Sequence, residues 1–80
     1  MKDISMEIKK MVAALSGEIT INEIKDDTNL FLELGFDSIM LVQLLADIEE
    51  HYGILFKDED MDTDNLSTVS ALVETVKRYV

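Results

Sequence analysis

No cysteine occurs among these 80 residues, and that absence narrows the fold more than any residue that is present. A chain of this length builds a core worth only about 3–5 kcal/mol of net stability, so small domains lean on disulfides, a metal or close helix packing. Without cysteine, disulfides and thiolate zinc sites are excluded. With a single histidine, His51, a histidine metal cluster is excluded too. Helix packing remains, and the lack of proline and the supply of Leu, Ile, Val, Met, Glu and Lys suit it. The expectation is one all-α domain over residues 1–80.

Apolar spacing lays out three main helices plus one short helix as a small bundle. Ile4, Ile8, Met11, Val12 and Leu15 form one stripe over 4–16. Asp3 suits its N-cap and Gly17 its stop. Residues 18–37 form a long loop between the first two main helices, with turn formers at Asp26, Asp27, Thr28 and Asn29. Leu30, Phe31, Leu32 and Leu34 are expected to pin that loop to the core. A loop of this length in a small domain points to function. The strongest helix spans 38–51, with Leu41, Leu44, Leu45, Ile48 and Tyr52 as its stripe. Ile39, Val42 and Ala46 widen the stripe, which predicts burial on more than one side. Met40, Gln43, Asp47 and Glu50 take the other face, and Gly53 stops the helix. One short helix is expected at about 58–61. The last helix begins near Ser67, its expected N-cap, and buries Val69, Leu72, Val73, Val76 and Val80. Lys77 and Arg78 fall in its last turn, where cations suit the helix dipole. Spacing leaves open whether the first two helices run parallel or antiparallel.

The formal net charge of −10 argues against nucleic acid, which needs an excess of Lys and Arg, and against anionic membrane surfaces. It favours partners with basic patches. At 48% hydrophobic residues, the chain is too apolar for a disordered acidic tail. The N-terminus alternates charged and apolar residues, unlike a signal peptide. The longest nearly apolar run, Ile39 to Ala46, is far too short to span a bilayer. A cytoplasmic monomer is expected.

The stretch LGFDSIM, Leu34 to Met40, carries the candidate chemistry. Asp37 is the better N-cap of the second helix, which puts Ser38 at its first turn. Catalysis by Ser38 is not expected, because a serine nucleophile needs a base in reach. His51 lies at the far end of the same helix, about 20 Å away at 1.5 Å rise per residue. Two readings remain on the residues alone. Ser38 is incidental to the cap, or its hydroxyl is modified, since a helix N-terminus favours an attached phosphate.

LGFDSIMLVQLL resembles the signature of the acyl and peptidyl carrier proteins. Gly35, Asp37, Ser38 and Ile39 match its pattern. DDTNLFLELG resembles the family's approach to the motif and LSTVSALVETV its last helix, so the resemblance covers essentially the whole chain in order. It implies a covalent 4'-phosphopantetheine arm on Ser38, with Asp37 and Gly35 beside it, and a non-catalytic carrier of acyl groups as thioesters. It implies a phosphopantetheinyl transferase and acyl-loading, condensing and offloading enzymes as partners. It also implies recognition through the second helix, at Ile39, Met40, Gln43, Asp47, Glu49 and Glu50. Leu41, Leu45 and Phe36 are candidates for an acyl cleft, with Phe36 next to the arm. One departure stands out. Fatty acid synthase carriers typically have acids two and five residues after the serine, where this chain has Met40 and Gln43. That shifts the expectation from primary fatty acid synthesis towards a discrete carrier of polyketide, nonribosomal peptide or related secondary metabolism. The rival from another class is an unmodified acidic interaction module that docks a partner helix.

The acidic run from Asp58 to Asp64 fails as a calcium loop: Thr63 stands where glycine is wanted and Val69 where a bidentate Glu is wanted. No metal is expected. Phe31, Phe36 and Phe56 are read as core or loop anchors, and His51 as a cation suited to a helix end.

Overall fold

Asp3 opens the first helix, α1 (Ile4–Ser16), by accepting the Met6 N–H on Oδ1 at 3.1 Å, which satisfies a donor the helix cannot. The computed structural model describes residues 3–17 and 19–80, without the side chains of 63 and 64. Glu18, first in the expected loop, and the side chains of Thr63 and Asp64 in the acidic run therefore lie outside the described residues. The second helix, α2 (Ser38–Tyr52), starts behind Asp37. A four-residue helix, α3 (Thr63–Leu66), and then α4 (Val69–Lys77) complete the order. Gly17 and Gly53 end α1 and α2 in the left-handed region, as expected from sequence. The fold is all-helical: three main helices, a short one, and a long loop between the first two.

α1 packs against both α2 and α4. Its direction relative to α2 follows from side chains. Tyr52 Oη donates to Glu7 Oε1 at 2.6 Å, and His51 Nε2 lies 3.6 Å from the same oxygen. Met11, Ala14 and Leu15 share a surface groove with Asp47, Glu50 and His51. The early part of α1 thus meets the end of α2, and the two run antiparallel. The loop first returns along α1, where Asp26 accepts from Ser5 at 3.4 Å and pairs with Lys9 at 2.9 Å. The Lys9 hydrogen bond and charge hold the Asp26 carboxyl below its ordinary range. The loop is then stapled to the start of α4. Ser70 N–H donates to Asp26 C=O at 2.7 Å, Val69 N–H to Thr28 C=O at 3.2 Å, and Leu30 N–H to Ser67 C=O at 2.7 Å.

Every element contributes to one core: Ile8 and Val12 from α1, Leu44, Leu45 and Ile48 from α2, Leu66 from α3, four residues of α4, and Ile24, Leu30 and Phe36 from the loop. Thr75 is the buried hydroxyl of α4. It donates to Ala71 C=O at 2.9 Å and to Asn65 C=O at 3.3 Å, tying α3 to α4.

Four sequence expectations are corrected. Ile39, Val42 and Ala46 do not bury a second side of α2; Ile39 is 77% and Val42 63% exposed, and Ala46 is exposed as well. At about 100° per residue Ile39 lies half a turn round the helix from buried Ile48, and nothing packs on that side. Leu32 does not pin the loop; it is 86% exposed, because the turn through 29–34 points Leu30 inwards instead. The short helix expected at about 58–61 is present as a 3-10 helix, Asp58–Asp60, and what the sequence did not show is a second one. The short α-helix forms later, where Leu66 gives it a buried anchor and Asp62 caps it at Asn65 N–H, 2.9 Å. The N-cap of α4 is Thr68, whose Oγ1 accepts the Ala71 N–H at 3.2 Å. Ser67 has helical dihedrals and closes α3, while Thr68 has the extended backbone that an N-cap needs. Val80 leaves the stripe, since α4 ends at Lys77.

Two measurements check this account. Leu30→Ala should cost about 2–5 kcal/mol, comparable with the whole stability of a domain this size. Urea unfolding followed by circular dichroism should show a largely lost transition; a shift under about 1 kcal/mol would contradict Leu30's role as the loop's apolar anchor. Burial first, and then the Glu7 carboxylate, push the Tyr52 phenol well above its ordinary value near 10. A raised native pKa means that this stabilisation is complete below pH 10 and fades as pH climbs through 10 towards the native value. Tyr52→Phe should cost about 1 kcal/mol at neutral pH and flatten part of the alkaline loss. Tyr79, raised by its bond to Asp60, supplies a further part. An unchanged alkaline slope in Tyr52→Phe would contradict this.

Candidate functional site

Four consecutive residues bring Ser38 to the surface. Gly35 takes φ +69°, which an L side chain rarely adopts. This turn lets Phe36 fold back, donating its N–H to Leu30 C=O at 2.9 Å and burying its ring, 4% exposed. Asp37 is extended, φ −106° and ψ −179°, and its Oδ1 accepts the Met40 N–H at 2.8 Å. Its carbonyl accepts the Leu41 N–H at 3.0 Å, the first intrahelical bond. Ser38 is then the first residue of a 15-residue helix, and it is exposed. Upstream, Asn29 Oδ1 accepts from Phe31 N–H at 3.0 Å and Leu32 N–H at 2.9 Å, and Glu33 Oε2 accepts the Asn29 N–H at 2.7 Å. The approach to the serine is a braced turn.

This geometry suits an anionic ester on the Ser38 oxygen. The N–H groups of Ser38 and Ile39 have no partner one turn back, and the helix dipole favours negative charge there. The exposed Asp37 carboxylate opposes it, but that carboxylate is already engaged as the cap. The chain's one histidine is out of reach of Ser38. His51 is about 20 Å along the helix and sits on Glu7 and the edge of Tyr52, 4.7 Å between ring centres. Among the described residues no group of three or more His, Cys, Asp or Glu is placed to hold a metal ion, and no helix is long and apolar enough to cross a membrane.

The remaining sequence-selected residues separate into three sets. Ile39, Gln43, Asp47 and Glu50 lie exposed along the solvent side of α2, and Met40 is partly buried against the core. Glu49 instead turns back: its Oε2 accepts the Phe56 N–H at 2.8 Å and holds the chain after Gly53. Leu45 and Phe36 are in the core, with Leu41 half-buried against it. Sequence reasoning did not select Val42 or Leu32 as surface residues. Only the phase of α2 relative to Ile48, and the Asn29 turn, reveal them.

The family model for "Phosphopantetheine attachment site" matches residues 7–76. The chain belongs to the phosphopantetheine-attachment family. Among its relatives are an acyl carrier protein of Buchnera aphidicola, 32% identical over all of this chain and 99% of that one, and Nodulation protein F of Rhizobium leguminosarum, 37% identical over 94% of this chain and 85% of that one. An acyl carrier protein homolog of Mycoplasmopsis pulmonis is 31% identical over 86% of this chain and 94% of its own. Family membership brings covalently bound 4'-phosphopantetheine, whose thiol is the reactive group. The chain is a non-catalytic carrier, and the lack of cysteine is no obstacle to thioester chemistry.

Two substitutions test how the site is held. Asp37→Ala should cost about 1 kcal/mol and speed amide exchange at Met40; unchanged exchange there would contradict the cap. Gly35→Ala should cost about 1–2 kcal/mol. A methyl group at Gly35 meets no atom within 4 Å, so any loss reports the backbone and not a clash. A neutral or stabilising result would show that the left-handed turn is not required.

Proposed function

We propose that this chain is a discrete acyl carrier whose arm is joined to Ser38 through a phosphodiester. Its place would be in polyketide, nonribosomal peptide or related secondary metabolism. The single observation that carries the site assignment is an exposed serine at the first position of α2, behind a capping aspartate, in a chain matched to the attachment family over 7–76. A phosphopantetheinyl transferase would bring coenzyme A. Ser38 Oγ forms the new P–O bond, the bond to the adenosine bisphosphate half breaks, and the hydroxyl proton passes to a base in the transferase. Loading, condensing and offloading enzymes then meet the thioester at the arm's end. Leu41, Leu45 and Phe36 are the apolar wall available to an acyl chain that folds back on the bundle. The carrier acts as a monomer in the cytoplasm.

The pathway assignment rests on Met40 and Gln43, where primary carriers of the resembled family have acids. The 37% identity to a protein named for nodulation, beside 32% to the Buchnera carrier, supports it. Primary fatty acid synthesis is the second reading, favoured by the relatives named acyl carrier protein. An unmodified interaction module is disfavoured by the family match.

Incubation with a broad-specificity phosphopantetheinyl transferase and coenzyme A should add one phosphopantetheine to the intact mass, and Ser38→Ala should abolish the gain. No gain with several transferases, or a gain retained in Ser38→Ala, would overturn the assignment.

A further inference from the structure

Two residues just past α4 reach across to the segment that follows α2. Arg78 and Tyr79 continue α4 as a turn, donating their N–H groups to Thr75 C=O at 3.2 Å and Val76 C=O at 2.9 Å. The turn therefore stands on two buried residues. From there Tyr79 Oη donates to Asp60 Oδ2 and accepts the Lys57 N–H at 2.9 Å. Arg78 Nη2 lies 3.0 Å from Asp60 Oδ1. The Tyr79 ring meets Phe56 edge to face, 5.3 Å between ring centres. Asp58 and Glu59 are exposed, whereas the Asp60 side chain is drawn in to 19% exposure.

The segment needs such a hold. Between Gly53 and Asp62, the cap of α3, its regular structure is one 3-10 helix made of three acids, Asp58–Asp60, whose like charges repel one another. Ile54 and Phe56 nevertheless pack on the core. The α2 side contributes Glu49, whose carbonyl accepts the Ile54 N–H at 3.1 Å and whose Oε2 accepts the Phe56 N–H at 2.8 Å. Segments with few regular bonds of their own are the ones that open while the rest of a domain stays folded. We infer that Arg78 and Tyr79 form a strap that holds residues 54–61 closed over the core, and that release of Asp60 opens the bundle on that side alone. This rests on the reading that an acyl chain folds back on the bundle, and adds a gate to it: the chain enters beneath Ile54 and Phe56 when the strap lets go. The two halves of the strap differ in weight. The Tyr79 hydroxyl joins Asp60 to Lys57 N–H in one network, whereas the Arg78 side chain is 56% exposed, and its ion pair is weak and screened by salt.

The experiment compares the wild type with Tyr79→Phe, Asp60→Ala and Arg78→Gln, and with Asp3→Ala, which weakens the distant cap of α1. Tyr79→Phe keeps the ring beside Phe56 and removes only the hydroxyl. Amide exchange is read at Ile54 and Phe56, whose acceptors on Glu49 no variant alters. Tyr79→Phe and Asp60→Ala should speed exchange there about tenfold, with the weak urea dependence of a local opening. Arg78→Gln should have a smaller effect that disappears at high salt. Asp3→Ala should leave both amides unchanged. Unaltered exchange in Tyr79→Phe, or equal acceleration by Asp3→Ala, would overturn the strap, the second by showing that these amides open only with the whole bundle. The gate is read on protein loaded at Ser38 with an acetyl or a decanoyl arm and treated with hydroxylamine, which cleaves accessible thioesters. Tyr79→Phe and Asp60→Ala should slow decanoyl cleavage several-fold and leave acetyl cleavage as it is, because the open form is the one competent to take the chain. Decanoyl cleavage that ignores these variants, while still slower than acetyl cleavage, would overturn the gate. Decanoyl and acetyl arms cleaved alike in every chain would remove the folding back of the acyl chain, and the gate with it, while exchange at Ile54 and Phe56 still decides the strap.

Discussion

Three backbone hydrogen bonds between the loop and the start of α4 govern where Ser38 sits. Ser70 to Asp26, Val69 to Thr28 and Leu30 to Ser67 fix the middle of a segment whose own regular structure is one 3-10 turn, Ile21–Glu23. Backbone groups are obligatory hydrogen bonders, so a buried loop must find such partners or lose several kcal/mol. Leu30, fully buried beside the staple, adds the apolar anchor. From Leu30 the chain has only to turn at Gly35, bury Phe36 and cap α2 with Asp37 to deliver Ser38 to the surface. The serine is positioned by a relay of backbone contacts, and each link is local except the staple.

The division of labour follows from chain size. An 80-residue helical domain has little stability to spare, so its functional group must not ask for a strained or buried site. A hydroxyl at a helix start, in water, asks for almost nothing. The chemistry is carried by a prosthetic arm, and the chain's contribution reduces to attachment geometry and a surface. Some of the acids near the end of α2 are consumed by structure. Glu49 holds Phe56 N–H, and Glu7 on α1 takes the Tyr52 hydroxyl.

The parts of this fold legible in the sequence are those set by local chemistry. Asp3, Asp37, Gly17 and Gly53 stand at helix ends because caps depend on a few adjacent residues. The main stripes of α1, α2 and α4 are legible for the same reason. What could not be read depends on partners distant in sequence. Ile39 and Val42 extend an apolar stripe on paper, yet no element packs on their side of α2. Ser67 looked like the cap of α4, but its carbonyl is claimed by Leu30 across the staple, and Thr68 takes the role. A second short helix, Thr63–Leu66, follows the expected one at Asp58–Asp60, because a four-residue helix persists only where it buries something, and Leu66 is that residue. The motif around Ser38 is legible because cap, turn and serine are contiguous; the exposure of Leu32 and Val42 beside it is not.

The central claim is that one hydroxyl among several in this chain bears the arm. Fragment-ion mass spectrometry of the protein purified from its host tests it most directly, since it locates the modified residue and weighs its cargo together. The account predicts a single phosphodiester-linked phosphopantetheine on Ser38 carrying an acyl group as a thioester. An arm on any other residue, or a functional protein whose Ser38 remains a free hydroxyl, would contradict it.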